Sequence, residues 1–232
     1  MSIYIGRQPI FNKHGDCFGY ELLYRSCNVN NEASFLNNAQ ATTQVIMNII
    51  HNLGLHSVLG DKLGFINIDE TIIFNDILLL LPKDNFIFEI LEHTKLSPEF
   101  YERIKMLKEL GYHFSLDDFD CSDAMMSAYE PLFEYVDFIK IDIQAIGCEC
   151  LKGAIAKLAS YNIPLLAEKI ETIEEFHACM ELHFDYYQGY FFERPVILTG
   201  KKIEPNVSSA IRLINCIQHN DDPEFISKQF QT

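Results

Sequence analysis

Asp117 and Asp118 stand side by side near the end of the run Tyr112-His-Phe-Ser-Leu-Asp-Asp-Phe-Asp120. The run is apolar and β-prone up to Leu116, so it reads as a buried strand in which two acids arrive where burial should be ending. Adjacent carboxylates repel, and one pKa rises unless a cation lies between them. A divalent metal removes that penalty, and carboxylate oxygens are its natural ligands. A strand entering a solvated acidic turn would give the same dipeptide. Repetition separates the two readings. Glu89, Lys140, Glu168 and Gln188 also fall at or just past the ends of separate β-prone runs, and Asn67 belongs with them. Hard oxygen donors of this kind suit Mg2+ or Mn2+ rather than Zn2+.

The elements that must position these side chains follow from the hydrophobic pattern. Residues 3–11 and 17–24 flank a turn at 12–16 and predict a β-hairpin. Glu21 sits inside its second strand, where a carboxylate needs a partner, Arg25 being one candidate. Residues 28–38 are polar and Asn-rich, a loop. Val45, Ile46, Ile49 and Ile50 give 39–53 helical spacing. A strand is expected over 63–68, then a helix over 69–81 closed by Pro82. Further strands fall at 85–92, 112–117, 136–142, 163–167 and 184–187. Helices are expected between them over 98–110, 122–135, 146–159 and 173–182, with Gly111 as a C′ glycine. This alternation of strands and helices argues for a parallel sheet. No Gly-rich loop follows the first strand, which weakens a dinucleotide-binding open sheet. In a (β/α) barrel, functional residues gather where the strands end, on the C-terminal face.

Composition bounds the rest. With 232 residues and 48% hydrophobic content, the chain can bury a sizeable core. Its net charge of −15 argues against nucleic-acid duplexes and anionic membranes as partners. Any anionic substrate then needs metal ions or a local basic group. Cys17, Cys27, Cys121, Cys148, Cys150, Cys179 and Cys216 are scattered without zinc-type pairing, as expected of cytosolic thiols. The start has no signal-peptide pattern and no apolar stretch reaches membrane-spanning length, so the expected location is the cytoplasm.

Taken together, the motifs resemble the EAL-domain family of cyclic di-GMP phosphodiesterases over about residues 3–197. The name-giving Glu-Ala-Leu stands here as Glu21-Leu22-Leu23, with Arg25 where the family has a phosphate-contacting arginine. Phe65-Ile66-Asn67, Glu89-Ile90-Leu91-Glu92, Asp117-Asp118-Phe119-Asp120 and Lys140-Ile141-Asp142 follow in order, then Ala167-Glu168-Lys169-Ile170-Glu171 and Gln188-Gly189-Tyr190. The resemblance implies an α/β fold, a (β/α)8 TIM-like barrel whose first strand runs antiparallel. It implies two metal ions, Mg2+ or Mn2+. Glu21, Asn67, Glu89 and Asp117 would hold one, and Asp117, Asp118 and Glu171 the other. Lys140 and Glu168 would orient and activate the attacking water. Arg25, Leu23 and Gln188 would meet substrate, and Glu92 would anchor the loop after Asp118.

That loop departs from the family. Gly-Thr-Gly-Tyr-Ser-Ser is replaced by Asp120-Cys-Ser-Asp-Ala-Met125, without glycine and with two added acids. Loss of glycine removes left-handed backbone options, and Asp120 and Asp123 are expected to bring negative charge near the phosphates. The departures resemble the branch in which an EAL domain precedes a helical HDOD domain. Residues 1–200 are then the barrel, and 201–232 a helical tail that reads as the truncated opening of an HDOD-type domain. The implied activity is slow hydrolysis of cyclic di-GMP to linear pGpG in bacterial second-messenger signalling. The alternatives are a degenerate cyclic di-GMP receptor and a protein-interaction scaffold. A homodimer and a signalling protein partner are the assemblies the resemblance suggests.

Overall fold

The structure, a computed structural model, describes residues 2–25 and 38–201. The loop expected at 28–38 lies outside the described residues up to 37, Asn38 opening the first helix, and the tail expected at 201–232 lies outside them from 202 on, Lys201 ending the last strand. The strands in chain order are β1 (Ser2–Asn12), β2 (Cys17–Tyr24), β3 (Leu63–Ile68), β4 (Phe86–Ile90), β5 (His113–Phe119), β6 (Phe138–Asp142), β7 (Leu165–Glu168), β8 (Tyr186–Tyr187) and β9 (Val196–Lys201). From β2 to β8 each strand pairs in parallel with the next. β1 closes the ring, antiparallel to both β2 and β8. The result is a closed eight-stranded TIM-like barrel with an antiparallel first strand, and β9 adds to the outside of β1.

The helices are α1 (Asn38–Asn48), α2 (Leu55–Leu59), α3 (Pro98–Glu109), α4 (Asp123–Tyr129), α5 (Ile143–Ile146), α6 (Cys148–Ala156) and α7 (Ile173–Glu181). α3 shows why the sequence pattern works. Ser97 accepts a hydrogen bond from Phe100 N, Pro98 opens the first turn, and Phe100, Ile104 and Leu107 form one buried stripe. Each such side chain contributes about 1.5–3 kcal/mol on burial. Gly111, at φ 92, ends the helix as expected.

Three expected helices come out differently. The run 69–81 forms two short 3-10 turns, Ile72–Phe74 and Asp76–Leu80. Asn75 between them is extended, and its side chain caps Ile77 N, an alternative to helical bonding that asparagine offers readily. The stretch 146–159 is split at Gly147, whose φ of 77 leaves the helix. α4 stops at Tyr129 and gives way to a 3-10 turn containing Pro131, so the 122–135 helix is half its expected length.

Two apolar layers flank the sheet. The outer layer packs helices on the barrel and includes Ile46, Phe100, Phe114, Leu116 and Ile139. The inner one plugs the barrel with Ile10, Phe65, Ile87 and Leu166, against Phe18, Phe138 and Tyr186. Phe18 and Tyr186 have ring centroids 4.3 Å apart, and Phe65 and Phe138 6.1 Å. The barrel is thus filled below, and the next inward positions toward the strand ends are polar.

Candidate active and metal-binding site

Ladder register places the polar layer. Asn67 on β3 lies opposite Glu89 on β4, and Glu89 opposite Ser115 on β5, two residues before Asp117. Asp142 on β6 lies opposite Glu168 on β7. Period-two alternation turns Glu89, Asp117, Lys140 and Glu168 inward, and all four are buried. Strict alternation would send Asp118 outward into the apolar shell. β5 avoids this with a bulge: Leu116 pairs with Ile139 but Phe119 with Ile141, so one extra residue is accommodated. Asp118 takes that position at φ 47, a left-handed conformation that aspartate tolerates. Phe119 then returns to the outer core while both carboxylates serve the mouth.

Lys140 is the centre of the cluster. Its Nζ lies 2.6 Å from Glu89 Oε1, 2.7 Å from Asp117 Oδ1 and 2.7 Å from Glu168 Oε1. Burial works against its charge, but Asp117, Glu168, Glu89 and Glu21 outweigh it and hold the ammonium protonated. The carboxylates respond oppositely. Burial pushes Glu89 well above the usual range, and pushes Glu168 up to about 8, with Lys140 opposing in both cases. Gln188 Nε2 donates to Glu21 Oε2 at 2.6 Å, so Glu21 faces into the barrel rather than pairing with Arg25. Gln188 is placed by Gly189, where a β-carbon would lie 2.0 Å from Ile170 O. That approach allows Ile170 N to bond Gln188 O at 3.1 Å.

The donor set tests whether cations fit. Among the described residues, Asn67 Oδ1, Glu89 Oε2, Glu168 Oε2 and Gln188 Oε1 are buried without a hydrogen-bond partner. Buried acceptors left this way are costly, and hard cations satisfy such oxygens. Glu92, Asp117 and Asp118 also offer oxygens within 4.8 Å of one another. The residues present therefore fit divalent metal ions.

Two adjoining cavities open at this end, of about 310 and 330 Å3, and both are lined by Glu21, Leu23, Asp117 and Asp118. Glu168, Glu171 and Gln188 line the first, and Asn67 and Glu92 the second. Arg25 lines neither; it is exposed just past β2, with Nη1 on Tyr24 O at 3.2 Å. Glu92 turns its carboxylate to His93 Nδ1, while Tyr129 OH binds the 92 carbonyl at 2.8 Å and ties this segment to α4. In the rewritten loop, Cys121 adopts φ 55 despite having no glycine's freedom. Lys157 Nζ holds it, at 3.0 Å from Cys121 O and 2.7 Å from Asp123 Oδ1. Asp123 is thus paired on the surface, Asp120 accepts from Ser122 N, and neither acid lines the two cavities.

Sequence reasoning assigned no role to Gln8, Asp142, Gln144 or Lys169. Gln8 is buried opposite Glu21 on β1, at the inward period of Ile10, which was the available signal. Lys169 meets Asp118 and Asp142 at the first cavity.

A closed β/α barrel whose C-terminal mouth gathers carboxylates around a buried lysine places the chain in the class of β/α-barrel proteins with a polar site at the strand ends. Within that class the chain belongs to the EAL domain family, whose profile matches residues 7–195. It is 32% identical over 216 residues to the Bacillus subtilis protein YuxH, covering 93% of this chain and 53% of that one. It is 33% identical over 216 residues to the cyclic di-GMP phosphodiesterase CdgJ of Vibrio cholerae, covering 91% and 49%. The chain therefore spans about half the length of these relatives. The fold is similar to that of the Pseudomonas aeruginosa FimX EAL domain bound to cyclic di-GMP (TM-score 0.63, 22% identity, 83% of this chain and 90% of that one). Bacillus subtilis YkuI, solved with cyclic di-GMP and calcium, matches with TM-score 0.63 at 19% identity, covering 94% and 61%.

Proposed function

We propose that this chain hydrolyses cyclic di-GMP to linear pGpG with Mg2+ or Mn2+, slowly. The observation that carries this is the set of unpartnered buried oxygens on Asn67, Glu89 and Glu168 around Lys140, in a family with named cyclic di-GMP phosphodiesterases. Glu21, Asn67, Glu89 and Asp117 would hold one ion, and Asp117, Asp118 and Glu171 a second, more weakly. Bound cations would offset the negative charge of the phosphodiester and make a nearby water more acidic. The chain's own groups do the rest. Lys140 fixes three carboxylates at one point, a restraint of the kind catalysis needs. Glu168, whose pKa of about 8 suits proton transfer near neutrality, accepts the proton of the attacking water. Water oxygen bonds to phosphorus, the ribose 3′ oxygen leaves and takes up a proton, and linear pGpG results. Leu23, at the edge of both cavities, with Arg25 and Gln188, would meet the dinucleotide.

A receptor that binds without turnover is the second reading, supported by the glycine-free loop after Asp118. In this proposal residues 1–200 form the barrel and 201–232 a separate tail. The free cysteines are those of a cytoplasmic protein, acting as a homodimer or with a signalling partner. The test is incubation of purified protein with Mn2+ and cyclic di-GMP, with chromatographic detection of pGpG. Slow turnover that Asp117→Ala abolishes is expected. Binding without product would favour the receptor, and neither binding nor product at saturating Mn2+ would leave the scaffold.

A further inference from the structure

Lys169 has no part in that scheme, yet its setting is specific. It follows Glu168 at the end of β7 with φ 59, a region that suits glycine. For a residue with a β-carbon that conformation is unfavourable and persists where the surroundings enforce it. Its Nζ lies 2.8 Å from Asp118 Oδ1 and 2.6 Å from Asp142 Oδ2. Asp142 is itself fixed, because Oδ1 accepts Gln144 N and Ala145 N at the start of α5, at 2.9 and 3.0 Å. The Lys169 carbonyl accepts Gln144 Nε2 at 3.1 Å, so the backbone is held as well as the head. The side chain lines the same cavity as Asp117, Asp118 and Glu171, the three residues assigned above to a second ion.

A charge held within hydrogen-bond distance of Asp118 neutralises it and repels a further cation placed nearby. We propose that Lys169 is a tethered cation standing in for the second metal ion, so that the native chain holds one divalent ion strongly and not two. The inference rests on the metal-dependent reading of this site. It gives Lys169 a positive charge that remains at the mouth when metal is scarce.

The test is Mn2+ titration of the metal-stripped full chain, without nucleotide, with free Mn2+ counted by electron paramagnetic resonance. One ion per native chain is expected. Lys169→Gly, which suits φ 59, should take up two, the second bound roughly tenfold or more tighter than any second ion of the native chain. Lys169→Met keeps the stem and removes the charge, and should move the same way. Melting curves confirm that each variant is folded. Two ions of similar affinity on the native chain would overturn the proposal, and so would a single ion on all three proteins. In either case, loss of bound Mn2+ in Asp117→Ala would uphold the parent metal reading. No ion on any of them would overturn both.

Discussion

Lys140 decides the balance of buried charge at the level of single residues. It is 1% exposed and touches three carboxylates. Removing one partner of a buried ion pair typically costs about 3–5 kcal/mol, because the remaining charges are left uncompensated. Lys140→Met should therefore lower the unfolding free energy of the metal-free protein, read from urea denaturation, by an amount in that range and abolish turnover. A variant as stable as the native protein would show that the cluster relaxes by taking up protons. Glu168 contributes to the pH dependence, in the same direction as Glu89. The pKa of Glu168 rises on folding from 4.5 to about 8, mainly through burial. The folded state then binds this proton more tightly than the unfolded chain does. The stabilisation is complete below about pH 4.5 and is lost as pH rises toward 8. Metal-free protein should accordingly be easier to unfold with urea at pH 8.5 than at pH 5.5, and Glu168→Gln should flatten that difference. A native profile that rises over this interval, or one that Glu168→Gln leaves unchanged, would contradict the assignment.

Whole elements explain how such residues come together. The bulge in β5 and the close approach of β8 to β7 convert strand ends into a site. Gly189→Ala would place a β-carbon 2.0 Å from Ile170 O and 2.4 Å from Ile170 N, contacts that backbone movement must relieve. A loss of at least about 2 kcal/mol is expected, with turnover reduced further than stability explains because Gln188 shifts. Calorimetry alongside a rate assay separates the two, and an unchanged melting temperature would refute the packing argument. Much of this was legible in the sequence. Period-two runs ending in Glu89, Asp117, Lys140 and Glu168 announced the strands and their inward acids, and Ser97 with Gly111 bracketed α3. The closure of the barrel was legible only through family resemblance, since no local pattern records that β1 pairs with both β2 and β8. Other features were hidden for physical reasons. Asn75 breaks a run that hydrophobic spacing alone marks as helical. The bulge at Asp118 leaves no compositional trace. Lys169 reads as an ordinary loop lysine until its backbone angle and two aspartate partners are seen.

At the scale of the molecule, the chain carries a net charge of −15, and its mouth adds several buried or half-buried carboxylates against Lys140 and Lys169. A dianionic dinucleotide approaching this surface meets repulsion from the whole field as well as from the site. The aromatic plug of Phe18, Phe65, Phe138 and Tyr186 closes the barrel below, so a ligand the size of a dinucleotide could not reach the site from the other end. On the proposed function, entry would be through the acidic mouth, and bound cations would make that mouth permissive. Divalent metal and cyclic di-GMP should thus bind with positive coupling, which linkage requires to be reciprocal. Chelation should weaken cyclic di-GMP binding by about 5–150-fold, the usual span of such couplings, and nucleotide should tighten Mn2+ by the same factor. Paired calorimetric titrations, nucleotide into metal-loaded and metal-free protein and Mn2+ with and without nucleotide, measure both arms. Nucleotide affinity that chelation leaves untouched would mean that Lys169 and Arg25 suffice to hold the phosphates, and that the metals act after binding rather than in it.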